Sequence, residues 1–228
     1  MLFVVASMKV ELEGIFGLDR SLSHWDQCKF GYTGIGRENV EKAFSEWKFW
    51  PEAEGILSVG FVGSIDPNIT PGDLCLIDKI QTSGESRQLR SEERLQKQAR
   101  KAIKGDFHSC NLITLEDTAQ GPGEKRSLEN LDSSIIDRET YWIAKMADGE
   151  DVPFLGLRAV FDGIDQNLPP ATCYDENSGK VSPLQMFSWL VRNPIRIGEL
   201  PQLGWNSLKA RRGLTNSINQ VIPSLIGD

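Results

Sequence analysis

Pro153-Phe154-Leu155-Gly156-Leu157-Arg158-Ala159-Val160-Phe161-Asp162 is the stretch that decides the fold. Its apolar residues run on continuously instead of alternating with polar ones, which predicts a strand covered on both faces. Leu2–Ala6, Gly55–Val62, Leu74–Ile77 and Asn111–Leu115 read the same way. Helical spacing lies between these runs. Arg37–Trp47 carries Val40, Phe44 and Trp47 at offsets of four and three, Arg94–Ile103 reads as a charged surface helix, and Tyr141–Ala147 follows a polar start at Asp137. Strands alternating with helices predict an α/β fold whose sheet is largely parallel and covered on both faces; the domain as a whole is expected to be a three-layer sandwich with a central mixed sheet. The stretch Thr82–Arg100, rich in Ser, Glu, Arg and Gln, reads as a solvated excursion. After Pro169-Pro170 the composition shifts toward tryptophan and arginine. Helical patterning near Pro183–Arg192 and Gly204–Ile222 reads as a C-terminal segment, from about 180 to 228, of one domain spanning 1–228.

The 228 residues carry a formal charge of −7 and are 39% hydrophobic, which is enough chain to bury a core without disulfide or metal staples. The acidic balance argues against a general nucleic-acid binder. Cys28, Cys75, Cys110 and Cys173 show no CxxC spacing, and His24 and His108 are the two histidines. The expectation is therefore free thiols, no metal site and no cofactor. No apolar run approaches the roughly 20 residues of a membrane span. Leu2–Ala6 is too short for a signal h-region and follows no basic segment, so a cytoplasmic setting is expected.

Three groups of residues could carry chemistry: Ser7-Met8-Lys9-Val10-Glu11 after the first strand, Gly60-Phe61-Val62-Gly63 leading to Pro71-Gly72-Asp73, and Asp137-Arg138-Glu139 with the strand ending at Asp162. Ligands of open α/β sheets collect at the carboxyl ends of strands, where Glu11, Gly60–Gly63 and Asp162 would meet. Taken singly, each has a plainer reading: a first-turn charge, turn glycines and an N-cap.

Together these segments resemble the nucleoside phosphorylase/nucleosidase family that includes methylthioadenosine/S-adenosylhomocysteine nucleosidase. Ser7-Met8-Lys9-Val10-Glu11 is similar to its Ala-Met-x-x-Glu motif. Gly60-Phe61-Val62-Gly63 with Pro71-Gly72-Asp73 is similar to its Gly-rich turn and Gly-Asp. Asp137-Arg138-Glu139, Val152-Pro153-Phe154 and Arg158–Asp162 resemble its third signature, with 23 residues from Glu139 to Asp162 as in the nucleosidases. The resemblance covers roughly residues 2–170. Leu168-Pro169-Pro170, Gly121–Arg126 and Trp189–Pro194 resemble the branch linked to hopanoid biosynthesis.

The resemblance implies cleavage of the N-glycosidic bond of an adenosine-type nucleoside. Asp162 is implied as general acid, Glu139 as the holder of the ribose hydroxyls, and Glu11, oriented by Arg158, as the group that activates water. Arg138, Phe61, Phe161, Ala119 and Gln120 are the further substrate-binding candidates. The family's Met is Arg138 here, a hydroxyl residue of the Gly-rich turn is Phe61, and the Ser before the acid is Phe161. Asp117-Thr118-Ala119-Gln120-Gly121, the stretch matching the purine clamp, has no aromatic residue. Glu11 repels phosphate and suits a bound water, while Lys9 and Arg138 are cations a phosphate would need. Phosphorylase activity and a non-catalytic nucleoside-binding protein stay open as alternatives. A homodimer is implied. Arg192, Arg196, Lys209, Arg211 and Arg212 read as a solvated face, with membrane contact left open.

Overall fold

The computed structural model describes residues 1–16, 23–129, 131–173 and 182–226. The start of the expected C-terminal segment, near 180, and residues 227–228 lie outside them. The five apolar runs are strands: β1 (Leu2–Ala6), β3 (Gly55–Ser64), β4 (Leu74–Thr82), β6 (His108–Thr114) and β8 (Phe154–Asp162). Three shorter ones join them, β2 (Cys28–Tyr32), β5 (Leu89–Arg90) and β7 (Ile135–Asp137). The sequence hides these for physical reasons. β2 is an edge strand with Lys29 exposed, and the other two are too short to show a period. β4 outruns its apolar part because Ile80 and Thr82 stay buried while Asp78, Lys79 and Gln81 turn toward solvent, the alternation of a half-covered strand.

The sheet is mixed. β2, β1, β3 and β8 pair in parallel, β8 pairs antiparallel with β4, and β4, β6 and β7 continue in parallel. β7 then pairs antiparallel with β3, so β3, β8, β4, β6 and β7 close into a ring. β8 is nearly all buried because it stands between β3 and β4 in that ring.

Residue alternation in β1 separates two cores. Phe3 and Val5 join Val40 and Phe44 of α2 (Arg37–Glu46) and Tyr141, Ile143 and Ala147 of α5 (Thr140–Gly149). Leu2, Val4 and Ala6 join Leu12 of α1 (Lys9–Phe16), Leu95 and Ala99 of α3 (Glu93–Ala102), and the long C-terminal helix. Thr82–Arg100 is a solvated excursion only in its first half, where residues 83–88 are irregular and mostly exposed; its second half is β5 and most of α3, and Leu89, Leu95 and Ala99 are buried there. The order of the helices is completed by α4 (Pro122–Ser127), α6 (Pro183–Arg192) and α7 (Leu200–Ile226). On α7, Ala210, Leu214, Ile218, Val221 and Ile222 are fully buried against the sheet core. These helices on the two faces of a mixed sheet make the three-layer α/β architecture.

Candidate functional site

Glu11 sits in the first turn of α1, where a carboxylate ordinarily faces the helix N-terminus and solvent. Here it turns back under the end of β1. Its Oε2 accepts from the Ser7 and Met8 N–H groups at 3.0 and 2.8 Å, and its Oε1 from the Phe61 N–H at 2.8 Å. Gly60 makes this possible, since a Cβ there would lie 2.8 Å from Oε1. Glu11 is 4% exposed. Burial pushes its pKa up to about 7, although the three amides and the field of Arg158 act the other way.

Asp162 ends β8, and a bulge at Val62/Gly63 sets Gly63 opposite it. A Cβ on Gly63 would stand 3.2 Å from Asp162 Oδ2, so the second glycine of the Gly-rich segment also serves close approach of a carboxylate. Oδ2 is held by the ammonium of Lys125, a side chain with no exposure at all. Lys125 also donates to the carbonyls of Gly163 and Gln166 at 2.7 and 3.3 Å. Burial raises the Asp162 pKa, and Lys125 opposes the shift.

Glu139 is placed from below. Arg158, 2% exposed, donates to Ser58 O and Oγ at 2.6 and 2.7 Å, to Leu157 O at 2.9 Å and to Thr140 Oγ1 at 2.7 Å. Its Nε stands 3.5 Å from Asp137 Oδ2. Asp137 accepts in turn from Thr114 Oγ1 at 2.7 Å, from the Thr140 hydroxyl, and from the N–H groups of Glu139 and Thr140. The start of α5 is fixed by these bonds, and Glu139 Oε1 accepts from the Gly36 N–H at 2.8 Å. Burial first, then the Asp137 charge, raises the Glu139 pKa to about 8.

Glu11, Glu139 and Asp162 line one cavity of about 550 Å³. Phe61, Phe161, Ala119 and Arg138 line it too, with the two phenylalanine rings 6.0 Å apart. Arg138 Nε donates to Glu116 O at 3.1 Å. Leu168, Pro169, Met186, Leu200 and Leu203 complete the wall, so the C-terminal helices belong to the site. Two expected residues sit elsewhere. The Arg158 guanidinium serves Ser58, Thr140 and Asp137 instead of orienting Glu11 by a direct bond. It reaches Glu11 only through its field, because its donors are committed. Gln120 is exposed, and its backbone N–H and carbonyl are used by Glu124 and Leu168. Lys125 is the main residue that sequence reasoning missed, although Gly121–Arg126 stood out as a family mark. The amides of Ser7, Met8 and Phe61 leave no signal in side-chain patterns.

Comparisons with known proteins agree on the architecture. The sequence model of one family, described as the phosphorylase superfamily, matches residues 31–178. A sequence comparison with curated proteins finds no match. Among solved structures, native futalosine hydrolase of Helicobacter pylori is similar with a TM-score of 0.67 at 13% identity, covering 96% of this chain and 97% of that one. The 5'-methylthioadenosine/S-adenosylhomocysteine nucleosidase from Neisseria meningitidis, in complex with methylthio-immucillin-A, has a TM-score of 0.67 at 14% identity, covering 98% of each chain. At these identities the likeness is one of fold.

Two outcomes follow from the buried charges. Arg158→Met removes the cation and leaves Asp137 buried without its partner. It should cost about 3–5 kcal/mol, read as a lower denaturation midpoint in urea; a midpoint within error of wild type would refute the network. The second outcome concerns pH. The Glu11 and Glu139 pKa values rise on folding from the ordinary 4.5 to about 7 and about 8. Between those values the folded chain binds more protons than the unfolded one, so stability must fall as pH rises, by about 3 kcal/mol for Glu11 alone. Unfolding midpoints should therefore decline between about pH 5 and pH 8, and Glu139→Gln should flatten the decline. A wild-type midpoint that does not fall over this range would contradict the raised values.

Proposed function

This chain belongs to the phosphorylase superfamily, and from that premise we propose that it is a nucleosidase, cleaving the N-glycosidic bond of an adenosine-type nucleoside to release the base. One observation carries the reading: three buried carboxylates, brought from three distant segments, face a single cavity. Loss of a base leaves positive charge on the sugar, and carboxylates held in a water-poor site stabilise it without reorganising. Glu139 is assigned to the ribose hydroxyls and the developing cation. Asp162 gives a proton to the departing base, a role for which burial raises its pKa suitably. Glu11 takes the proton of the attacking water. Since its pKa is near 7, it is ionised and competent above that pH.

Water is favoured over phosphate as nucleophile. Glu11 puts negative charge where phosphate would bind, and Lys9 is exposed on α1. Arg138, which lines the cavity, is the observation that keeps a phosphorylase as second reading. The wall of Leu168, Pro169, Met186, Leu200 and Leu203 suits an apolar substituent on the sugar, consistent with the hopanoid-linked branch. A cytoplasmic setting is part of the proposal; no described helix is long and apolar enough to cross a membrane. So is a homodimer: Leu184, Phe187 and Val191 are exposed along one side of α6.

Free base should appear by chromatography when the protein is incubated with adenosine-type nucleosides in phosphate-free buffer. Asp162→Asn should slow this by about 10²–10⁴-fold. Strict dependence on millimolar phosphate, with a sugar 1-phosphate as product, would overturn the hydrolase in favour of the phosphorylase. Light scattering should give twice the chain mass of 25.5 kDa; the mass of a single chain at micromolar concentration would count against the dimer.

A further inference from the structure

Lys125 is a lysine with no solvent exposure, carried on the six-residue helix α4. A buried ammonium is costly unless every N–H finds an acceptor. This one has three N–H bonds and three acceptors, Asp162 Oδ2, Gly163 O and Gln166 O. Its donors are therefore used up, and it does not line the cavity. It can influence a ligand only through Asp162.

The carbonyls that share the ammonium belong to the turn just after Asp162. That turn is itself clamped: Gln166 Oε1 accepts from the Gly163 N–H at 2.9 Å and from Asn206 Nδ2 on α7 at 3.0 Å. A fixed cation thus takes one oxygen of the carboxyl from behind, leaving Oδ1 for whatever occupies the cavity. The residue before Asp162 is Phe161, which has no hydroxyl to do this, so the orienting contact comes from a segment 37 residues away in sequence.

Resting on the nucleosidase reading, we propose that Lys125 is the positioning residue of the base subsite: it fixes Asp162 with Oδ1 toward the ligand and sets the pH at which that carboxyl gives up its proton. The other charged groups around the same cavity are Glu11 from α1, Asp117, and Asp137, Arg138 and Glu139 at the start of α5. Arg126, next to Lys125, and Asp165, three residues after Asp162, pair with each other on the surface. Lys125 is thus the cation in direct contact with Asp162, and its charge and hydrogen bond oppose the upward push of burial.

The test is Lys125→Met, which keeps the chain length and removes the charge, with Lys125→Gln in its place should the first not fold. Carbon-13 spectra of protein labelled at aspartate carboxyls report Asp162 directly, its signal assigned by its loss in Asp162→Asn. The midpoint of that signal should move to higher pH in Lys125→Met, because the cation that favours the ionised form is gone. In turnover of an adenosine-type nucleoside, kcat should fall about 10–100-fold while KM stays within about threefold, since a uniformly bound substrate loses no direct contact. The high-pH limb of the rate should move up with the carboxyl. Adding Lys125→Met to Asp162→Asn should cost nothing further, because Lys125 acts through that carboxylate. An unmoved carboxyl midpoint, or a loss that adds fully in the Asp162→Asn background, would overturn the proposal. If wild type releases no base from any nucleoside while the midpoint still moves, the nucleosidase reading fails and the control of Asp162 by Lys125 stands.

Discussion

The floor of the site depends on the buried contact between Arg158 and Asp137. A guanidinium presents a planar fork of five donors, and here that fork reaches the strands and helix meeting beneath the cavity. Ser58 ties it to β3, Thr140 to α5 and Asp137 to the end of β7, while the residue itself sits in β8. These are members of the closed ring of strands or the helix that follows it. β7 has only three residues, paired with β6 over three positions and with β3 over two, so its ladders end at Asp137 and do not reach Arg138 and Glu139. Beyond the ladder, the polar network and the Gly36 N–H are what hold Glu139 opposite Glu11 and Asp162. A buried ion pair is a poor source of stability and a good source of specificity where its geometry is saturated. Its use here fits that logic.

Above this support the protein accepts an electrostatic cost. Glu11, Glu139 and Asp162 are all almost fully covered, and burial raises each pKa. Glu11 receives three backbone donors, and burial still pushes its pKa up to about 7 against them. Glu139 receives one, beside the like charge of Asp137, and is shifted further. Strain of this kind concentrates where a site must be ready for a charge that is absent in the resting state. The glycines take part as well. Gly60 and Gly63 lie within a strand, where glycine weakens the ladder, because carboxylate oxygens occupy the space a Cβ would take.

The main strands and the layering were legible because they rest on continuous apolar runs that stand out without tertiary information. β2, β5 and β7 were not, being edge or very short segments specified by their neighbours. Within the site, Glu11, Glu139 and Asp162 were singled out by the family resemblance more than by any one residue pattern, and the three line one cavity. Arg158 was readable as important but not for its task. An arginine in an apolar run signals a buried partner, and only the ring closure reveals that the partner is Asp137 and not Glu11. Gln120 failed for a similar reason: the loop uses its main chain, so its side-chain type carried no information. Lys125 was hidden most deeply, because a lysine in a Gly-Pro-Gly-Glu-Lys-Arg segment reads as surface until the fold buries it.

The two phenylalanines give the residue-type departures a different meaning. Judged by side chains, Phe61 and Phe161 remove hydroxyls from places where a polar site would want them. At position 61 the contact made to Glu11 is the backbone N–H, at 2.8 Å, and any residue but proline could supply it. The ring is therefore released to line the cavity opposite Phe161. At position 161 the missing hydroxyl has an answer in Lys125, which reaches Asp162 from behind with a stronger, charge-assisted bond. Here the polar contacts come from the main chain and a buried cation, and the two side chains form apolar wall. This arrangement keeps the carboxylates in place while making the space between them greasier. The cavity thus joins buried carboxylates to an aromatic and aliphatic wall, the combination that binds a ligand with one polar and one apolar end.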